Sequence, residues 1–192
     1  MPKLENRIAL ITGAGRGIGR TIALAYAREG ATLSLAARSV GELDETADEC
    51  RKLGAEVLVT RTDVTNPEDV ERLVDATVLR CATVDILVNN AGIAGPIGSL
   101  QDNDVTAWIN TVQVNLIGVY LCCRAVVPVM QRNGSGRIVN LSGAGATNAW
   151  ANLSAYCSSK AAVVRLTEVL AMELADTGVT VNALGPGSVH TQ

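Results

Sequence analysis

Short apolar runs rich in Val, Ile and Leu alternate along the chain with longer segments whose apolar residues recur at helical spacing. The runs predict β-strands near 7–12, 31–37, 55–61, 84–89, 136–142 and 179–184. The segments between them predict helices near 17–29, 40–53, 67–81, 103–132 and 154–177, the fourth of which is long enough to contain a break. Strand–helix alternation is typical of right-handed βαβ units. We therefore predict an α/β fold, a doubly wound parallel sheet of the Rossmann type with three αβα layers and strand order 3-2-1-4-5-6.

Composition narrows the class of protein without naming a function. The 192 residues suit one compact domain, and 48% of them are apolar while only 3% are aromatic, as expected for a sheet covered by helices on both faces. The formal charge of −3 and the lack of a basic run argue against nucleic-acid binding. We predict no membrane span, because polar residues, among them Asn115 and Arg124, interrupt the longest apolar stretch, 112–130. The five cysteines form no CxxC pair, which predicts reduced thiols in a cytoplasmic protein and no metal site.

A glycine-rich turn, 12–19, follows the first predicted strand and opens the first predicted helix. Glycine lets the backbone approach a pyrophosphate closely, and amide protons at the helix N-terminus then face the phosphates. Because the turn lies at the start of a βαβ unit, it predicts dinucleotide binding. The residues assigned to this role are Gly13, Gly15, Arg16, Gly17, Ile18 and Gly19.

The end of the second predicted strand bears on the choice between the two nicotinamide cofactors. An acidic residue there would bind the ribose hydroxyls of NAD, but this chain has Ala37 followed by Arg38 and Ser39. Arg38 can pair with a 2′-phosphate and Ser39 can hydrogen-bond to it. Arg16 can add a second positive charge. We therefore predict NADP(H) rather than NAD(H); the alternative is that Arg38 is merely solvated.

Two further segments follow predicted strands at the sheet edge where ligands of such folds bind. Asp63 and Val64 come after the third strand, and the Asp63 carboxylate can accept a hydrogen bond from an adenine amino group. Asn90, Ala91 and Gly92 come at the end of the fourth strand. Two roles are open for Asn90: contact with the ligand, or a structural tie between two strands.

Tyr156 and Lys160 lie four residues apart in a helical pattern, so their side chains share one face. The pKa of a free phenol is about 10, too high for a base at neutral pH. We expect a nearby ammonium and a cationic nicotinamide to lower this pKa. Tyr156 would then donate a proton to a carbonyl oxygen, and Lys160 would also hold the nicotinamide ribose. This spacing is common by itself, and it gains meaning only beside the glycine turn.

As a whole, the chain resembles the short-chain dehydrogenase/reductase family over essentially all its residues. The resemblance rests on Thr12-Gly13-x3-Gly17-x-Gly19, Asp63, Asn89-Asn90-Ala91-Gly92, Asn115, Ser142, Tyr156-x3-Lys160 and Pro186-Gly187-x3-Thr191. It implies an oxidoreductase acting on a carbonyl/secondary alcohol pair, with Asn115 and Ser142 completing the catalytic site. It also implies that the segment from Pro186 and Gly187 through Val189 to Thr191 holds the nicotinamide carboxamide, and that the long helices build a homodimer or homotetramer.

The chain departs from the family pattern in two places. The position that usually carries the catalytic serine holds Gly143, and Ser142 comes one residue earlier. Either the loop contains one extra residue and Ser142 serves, which the small residues after it favour, or the hydroxyl is missing. In addition, family members of this type usually continue beyond the carboxamide-binding segment. We therefore expect a single domain over residues 1–192 in which the substrate lid and the seventh strand are absent.

The substrate is left open by the sequence. A 3-oxoacyl thioester reductase is one possibility, and a dehydrogenase of a small alcohol or sugar is another. A different class of function, a catalytically inactive NADP(H)-binding scaffold or sensor, would retain the same fold. Oxidation of NADPH in the presence of ketones distinguishes an enzyme from such a scaffold.

Overall fold

A computed structural model of the chain describes residues 2–187, and all structural statements concern this part. Its six strands are β1 (Ile8–Thr12), β2 (Thr32–Ala37), β3 (Val57–Arg61), β4 (Ile86–Asn89), β5 (Gly136–Leu141) and β6 (Val179–Leu184). Each strand pairs in parallel with its neighbour, and the order across the sheet is β3-β2-β1-β4-β5-β6. The predicted strand order and doubly wound topology are therefore confirmed. Val189 and Thr191, predicted as cofactor contacts, lie outside the described residues.

Helices follow the strands as the periodicity predicts. They are α1 (Gly17–Arg28), α2 (Val40–Lys52), α3 (Pro67–Cys81), α4 (Val105–Val112), α5 (Gly118–Arg132) and α6 (Ser154–Glu173). The start of α3 illustrates the local signals, because Pro67 occupies the first turn and Asn66 caps it. The Asn66 Oδ1 atom accepts hydrogen bonds from the amides of Glu68 at 2.9 Å and Asp69 at 3.3 Å.

Two apolar cores lie on opposite faces of the sheet. On one face, α1 and α2 cover β1 and β2 through buried residues such as Ala23, Leu35 and Leu43. On the other face, α3, α5 and α6 pack over the middle of the sheet through residues such as Leu73 and Met130. Burial on both faces explains why the strands read as continuous apolar runs rather than as alternating ones.

A chain of buried amides ties the sheet to α6 below the carboxyl edge. The Asn89 Nδ2 atom donates to the Asn140 Oδ1 atom at 2.9 Å, and the Asn140 Nδ2 atom donates to the Thr167 Oγ1 atom at 2.9 Å. These bonds connect β4, β5 and α6. Because all three residues are buried, the bonds fix how α6 lies against the two strands whose ends form the site.

The helix over 105–132 is continuous but not uniform. A π turn, Gln113–Ile117, joins α4 to α5, so the break considered in the sequence is a local change of helix type. By length and composition the helix would suffice to cross a membrane, with a mean hydropathy of 1.6 in its most apolar window, so the expectation that no stretch is long and apolar enough is wrong. Core helices of soluble proteins meet the same criterion, and α5 packs here on β4 and β5.

Candidate active site

One cleft of about 740 Å³ lies at the carboxyl edge of the sheet and connects the glycine turn with Tyr156. Of the predicted site residues, those that line it are Gly13, Gly15, Arg16, Gly17, Ile18, Arg38, Ser39, Asp63, Val64, Asn90, Ala91, Gly92, Tyr156, Lys160 and Pro186. Gly19, Asn115, Ser142 and Gly187 do not line its wall. The cofactor end and the chemical end predicted from the sequence therefore belong to a single space.

The glycine turn forms a tight cradle between β1 and α1. A Cβ atom on Gly19 would come within 2.2 Å of the Gly13 carbonyl oxygen, so a side chain at Gly19 has no room. Helix α1 begins at Gly17, and no side chain among residues 2–187 caps it. Its first amide protons thus remain available to an anion, and the positive end of the helix dipole lies at the turn.

Asn90 ties the end of β4 to this turn. Its Nδ2 atom donates to the carbonyl oxygens of Thr12 and Gly13, both at 3.0 Å. In return, the Thr12 Oγ1 atom accepts hydrogen bonds from the amides of Asn90 and Ala91, both at 3.1 Å. Of the two roles left open by the sequence, the structural tie is present, and Asn90 also lines the cleft.

The adenosine end of the cleft carries Arg16, Arg38 and Ser39, together with an acidic residue that no sequence pattern indicated. The Glu42 carboxylate lies 3.8 Å from the Arg16 guanidinium. The Ser39 Oγ atom caps α2 by accepting a hydrogen bond from the Glu42 amide at 3.5 Å. Because the hydroxyl accepts in this bond, its own proton stays free to donate.

Asp63 and Val64 form the wall between β3 and α3. The Asp63 Oδ1 atom accepts hydrogen bonds from the amide and hydroxyl of Thr65, at 3.0 and 2.8 Å. The Asp63 amide in turn donates to the Asp69 carboxylate at 2.9 Å. This backbone hydrogen bond, followed by the Arg72 guanidinium, lowers the pKa of Asp69. The segment is therefore held in place by charge-assisted bonds.

Lys160 is almost fully buried in α6, with 5% of its surface exposed. Its Nζ atom donates to the Leu141 carbonyl oxygen at the end of β5, at 2.7 Å. Burial lowers the pKa of Lys160 to about 8. The ammonium thus occupies a fixed position beside the cleft, and its charge is less stable there than in water.

Tyr156 lines the same cleft one helical turn before Lys160. Burial raises the pKa of its phenol, with the neighbouring Cys157 thiol contributing less in the same direction. The lowering expected from the sequence is therefore wrong for the protein alone. Desolvation of the phenol is the main cause of this shift, and the Lys160 Nζ atom donates its hydrogen bond to the Leu141 carbonyl oxygen rather than to the phenol.

Asn115 lies in the π turn and links three elements without lining the cleft. It exchanges two hydrogen bonds with the backbone of Ile93, at 2.8 and 2.9 Å. Its Nδ2 atom also donates to the Ser159 Oγ atom at 3.0 Å, next to Lys160. Sequence reasoning missed Ser159, because nothing in a local pattern shows that it meets Asn115.

The loop after β5 presents glycine rather than serine to the cleft. Gly143 lines the cleft wall. Ser142 is 4% exposed, and its amide donates to the Leu184 carbonyl oxygen at 2.9 Å, which extends the pairing of β5 with β6. Further along the loop, the Trp150 ring stacks on the Tyr156 ring with centroids 6.2 Å apart.

Comparison with known proteins identifies the family. The sequence profile described as short chain dehydrogenase matches residues 7–192. The (2S)-[(R)-hydroxy(phenyl)methyl]succinyl-CoA dehydrogenase subunit of Thauera aromatica is 40% identical over 98% of this chain and 75% of its own length. The 3-oxoacyl-[acyl-carrier-protein] reductase of a Synechocystis strain is 36% identical over 100% of this chain and 77% of its own.

Two solved structures extend the comparison to bound cofactors. A variant of actinorhodin polyketide ketoreductase with NADPH has a TM-score of 0.94 and 38% identity, covering 100% of this chain and 74% of its own. NAD⁺-bound xylitol dehydrogenase has a TM-score of 0.94 and 34% identity, covering 96% of this chain and 71% of its own. These dehydrogenase and reductase relatives support oxidoreductase activity on alcohol or ketone substrates. With its sheet order, its cleft and these matches in agreement, the chain belongs to the short chain dehydrogenase family.

Proposed function

We propose that the chain is an NADP(H)-dependent oxidoreductase that interconverts a carbonyl compound and a secondary alcohol, with Tyr156 as general acid and base. The observation that carries this proposal is that Tyr156 and Lys160 line the same cleft as the glycine turn. A catalytically inactive binding scaffold would need the cradle. It would give no reason for a buried ammonium that has no acidic partner among residues 2–187 and that lines the same cleft as a phenol.

The residues at the chemical end have complementary roles in proton transfer. When bound, the nicotinamide supplies or accepts the hydride at the substrate carbon. In reduction, the Tyr156 phenol gives its proton to the substrate oxygen, and in oxidation it takes the proton back. A phenol with its ordinary pKa of about 10 is protonated at neutral pH, which is the form that donates in reduction; burial raises the pKa of Tyr156 further. The Lys160 ammonium stabilises the phenolate that remains, and its bond to the Leu141 carbonyl holds it ready.

Asn115 and Ser159 act on Lys160 indirectly in this proposal. Asn115 fixes the Ile93 backbone, and Ser159 connects Asn115 to the helix that carries Lys160. The Ser159 Oγ atom also donates to the Tyr156 carbonyl oxygen at 2.9 Å. The network therefore holds the turn of α6 between Tyr156 and Lys160 against the π turn.

The cleft suits a dinucleotide that carries a 2′-phosphate. The cradle leaves no room for a Cβ atom at Gly19, and the uncapped start of α1 favours a pyrophosphate. At the other end, Arg38 and the free proton of the Ser39 hydroxyl favour a phosphate. Glu42 opposes it, but this carboxylate is paired with Arg16. We infer NADP(H) as the cofactor, with Arg38 as the residue that discriminates most.

Replacing Arg38 by Ala is expected to weaken NADPH binding about tenfold while leaving NADH binding unchanged, because the lost ion pair involves only the 2′-phosphate. Fluorescence titration of each cofactor measures both constants. Arg51→Ala is the matched control, since Arg51 lies at the far end of α2 in a surface pair with Asp48. Tighter binding of NADH than NADPH by the unchanged protein would contradict the proposal, as would an equal loss for both cofactors.

The activity itself is tested by following the absorbance of NADPH with a panel of ketones. The panel should include a 3-oxoacyl thioester, because a 3-oxoacyl-[acyl-carrier-protein] reductase is among the relatives, and small cyclic and linear ketones. Oxidation that depends on the ketone supports the enzyme. Binding of NADPH without oxidation by any ketone would favour the scaffold.

We also propose that the chain assembles as a homodimer or homotetramer through α4, α5 and α6. These helices expose large apolar side chains, including Ile109, Tyr120, Val169 and Met172, of which Met172 is 79% exposed. Light scattering after size exclusion is expected to give two or four times the chain mass of 20.0 kDa. A monomer at micromolar concentration would contradict this proposal.

A further inference from the structure

We propose that Gly143 is a positioning residue for Tyr156. In this proposal the loop after β5 packs against the phenol, with glycine where a serine could stand, and contributes no second hydroxyl; we call this packing surface the seat. The inference rests on the proposed role of Tyr156 and concerns how that residue is held. The seat, as we define it, consists of Gly143, Gly145 and Trp150.

Gly143 meets the hydroxyl end of Tyr156. A Cβ atom on Gly143 would lie 2.4 Å from the Tyr156 Oη atom, whereas an ordinary contact begins at 3.4 Å. The backbone of Gly143 has φ +84°, a left-handed conformation in which other residues are strained. Steric room and backbone geometry therefore both require glycine while the phenol stays where it is.

The other two members of the seat hold the ring. A Cβ atom on Gly145 would lie 2.8 Å from the Cδ1 and Cε1 atoms of Tyr156, so the ring edge rests directly on that backbone. Trp150 stacks on the ring with an interplanar angle of 6°. Contacts on an edge, a face and the hydroxyl leave Tyr156 little freedom to move.

Ser142 is directed away from this seat. Ser142 is buried, its amide is still paired to Leu184, and it does not line the cleft, whereas Gly143 does. The Ser142 Oγ atom lies 3.6 Å from the place of a Cβ atom on Gly185. The observations favour the second of the two hypotheses raised by the sequence, in which the loop contributes no hydroxyl to the substrate oxygen.

Tyr156 is consequently the one side-chain hydroxyl that the described lining residues offer at this end of the cleft. The other hydroxyl-bearing residues of the described lining, Ser39 and Thr62, follow β2 and β3 at the adenosine end. The substrate oxygen then depends on a single phenol, whose position is set by the seat. Small displacements of that phenol should affect the rate more than they affect binding.

Gly143→Ala tests the seat. Relief of the contact requires the hydroxyl to move about 1 Å, a displacement that lowers kcat by roughly 10- to 100-fold, while the Kd of NADPH changes less than about twofold. Gly143→Ser is expected to lose as much, although it restores a hydroxyl. The matched control is Gly54→Ala, because Gly54 has φ +91° but no atom within 4 Å of its added Cβ. It therefore places an alanine at a positive φ without the clash.

A readout that needs no turnover keeps this test separate from the proposed activity. The chain has three tyrosines, and the difference in ultraviolet absorbance between each protein and its Tyr156→Phe counterpart isolates the ionisation of Tyr156. Gly143→Ala is expected to move the pH midpoint of that ionisation, and Gly54→Ala is not. If neither the unchanged protein nor Gly143→Ala oxidises NADPH but the midpoint moves, the proposed activity is refuted while the inference about the seat is supported.

Three results would overturn the inference. The first is that Gly143→Ala and Gly54→Ala have the same kcat and the same pH midpoint of Tyr156 ionisation. The second is that Gly143→Ser has a higher kcat than the unchanged protein. The third uses a different variant in case the glycine variants do not fold. Ser142→Ala should cost less than about tenfold in kcat, since removal of a hydrogen-bond donor to a developing oxyanion costs roughly 10²–10³-fold. A loss of kcat above tenfold would indicate that the Ser142 hydroxyl donates a hydrogen bond to the substrate oxygen.

Discussion

Replacing Tyr156 by Phe is expected to lower kcat by roughly 10²–10⁴-fold while leaving the Kd of NADPH almost unchanged. The substitution removes only the phenol oxygen, and the contacts of the ring with Gly145 and Trp150 remain. Steady-state rates with the best ketone of the panel and a fluorescence titration of NADPH measure the two quantities. An unchanged Kd separates loss of proton transfer from loss of cofactor binding.

Tyr26→Phe is the control for this prediction. Tyr26 is also partly buried in a helix, and burial raises the pKa of its phenol as it does for Tyr156, but it does not line the cleft. Its replacement should leave kcat within about twofold of the unchanged protein, because a surface or core phenol outside the cleft takes no part in proton transfer. Equal effects of the two substitutions would refute the role of Tyr156.

Replacing Lys160 by Met is expected to abolish most of the activity and at the same time to stabilise the fold. The rate falls, by roughly 10²-fold, because the positive charge beside the phenolate is lost. Stability rises because the folded protein no longer buries an ammonium, whose pKa is about 8 in the structure and about 10.4 in an unfolded chain. The difference corresponds to at most about 3 kcal/mol in the free energy of unfolding.

The sign of the pH dependence follows from the lowered pKa. Below pH 8 both states carry the proton, so the full penalty of burial is present in the unchanged protein. As the pH rises from about 8 to about 10.4, the folded state loses the proton first and the penalty disappears. The stability advantage of Lys160→Met should therefore shrink over this window, and urea unfolding at several pH values measures it.

Lys52→Met serves as the matched control for the stability measurement. Lys52 lies exposed at the end of α2, so its replacement should show no such window. Two results would show that the buried ammonium does not destabilise the fold. One is a stability difference between Lys160→Met and the unchanged protein that stays constant from about pH 7 to about pH 10.5, and the other is a Lys160→Met variant that is less stable at every pH.

The fold was predictable because its signals are local and repeated. Strands buried on both faces give unbroken apolar runs, and caps such as Asn66–Pro67 mark where a helix begins. The ends of the helices were predicted less accurately than their presence: α6 ends at Glu173, four residues before the predicted residue 177. The π turn was missed because periodicity over a long apolar segment does not distinguish an inserted residue from ordinary variation.

The site was predictable at its motifs but not in their mutual arrangement. The glycine turn and the Tyr156–Lys160 pair are short patterns with a physical reason for their spacing, and one cleft joins them. Glu42 near Arg16 and Ser159 against Asn115 depend on how separate elements pack, which no local window contains. For the protein without its cofactor, the direction of the pKa shift of Tyr156 was wrong for the same reason, since burial of the phenol is a tertiary property.

The π turn determines how α4 is rotated about the helix axis relative to α5. One residue corresponds to about 100° of rotation in an α-helix, so α4 and α5 behave as two amphipathic segments whose frames are offset at Gln113–Ile117. Deleting a single residue there would rotate Asn115 away from Ile93 and Ser159, or move α4 away from α6. Either change would break the connection between the π turn and the turn of α6 that precedes Lys160.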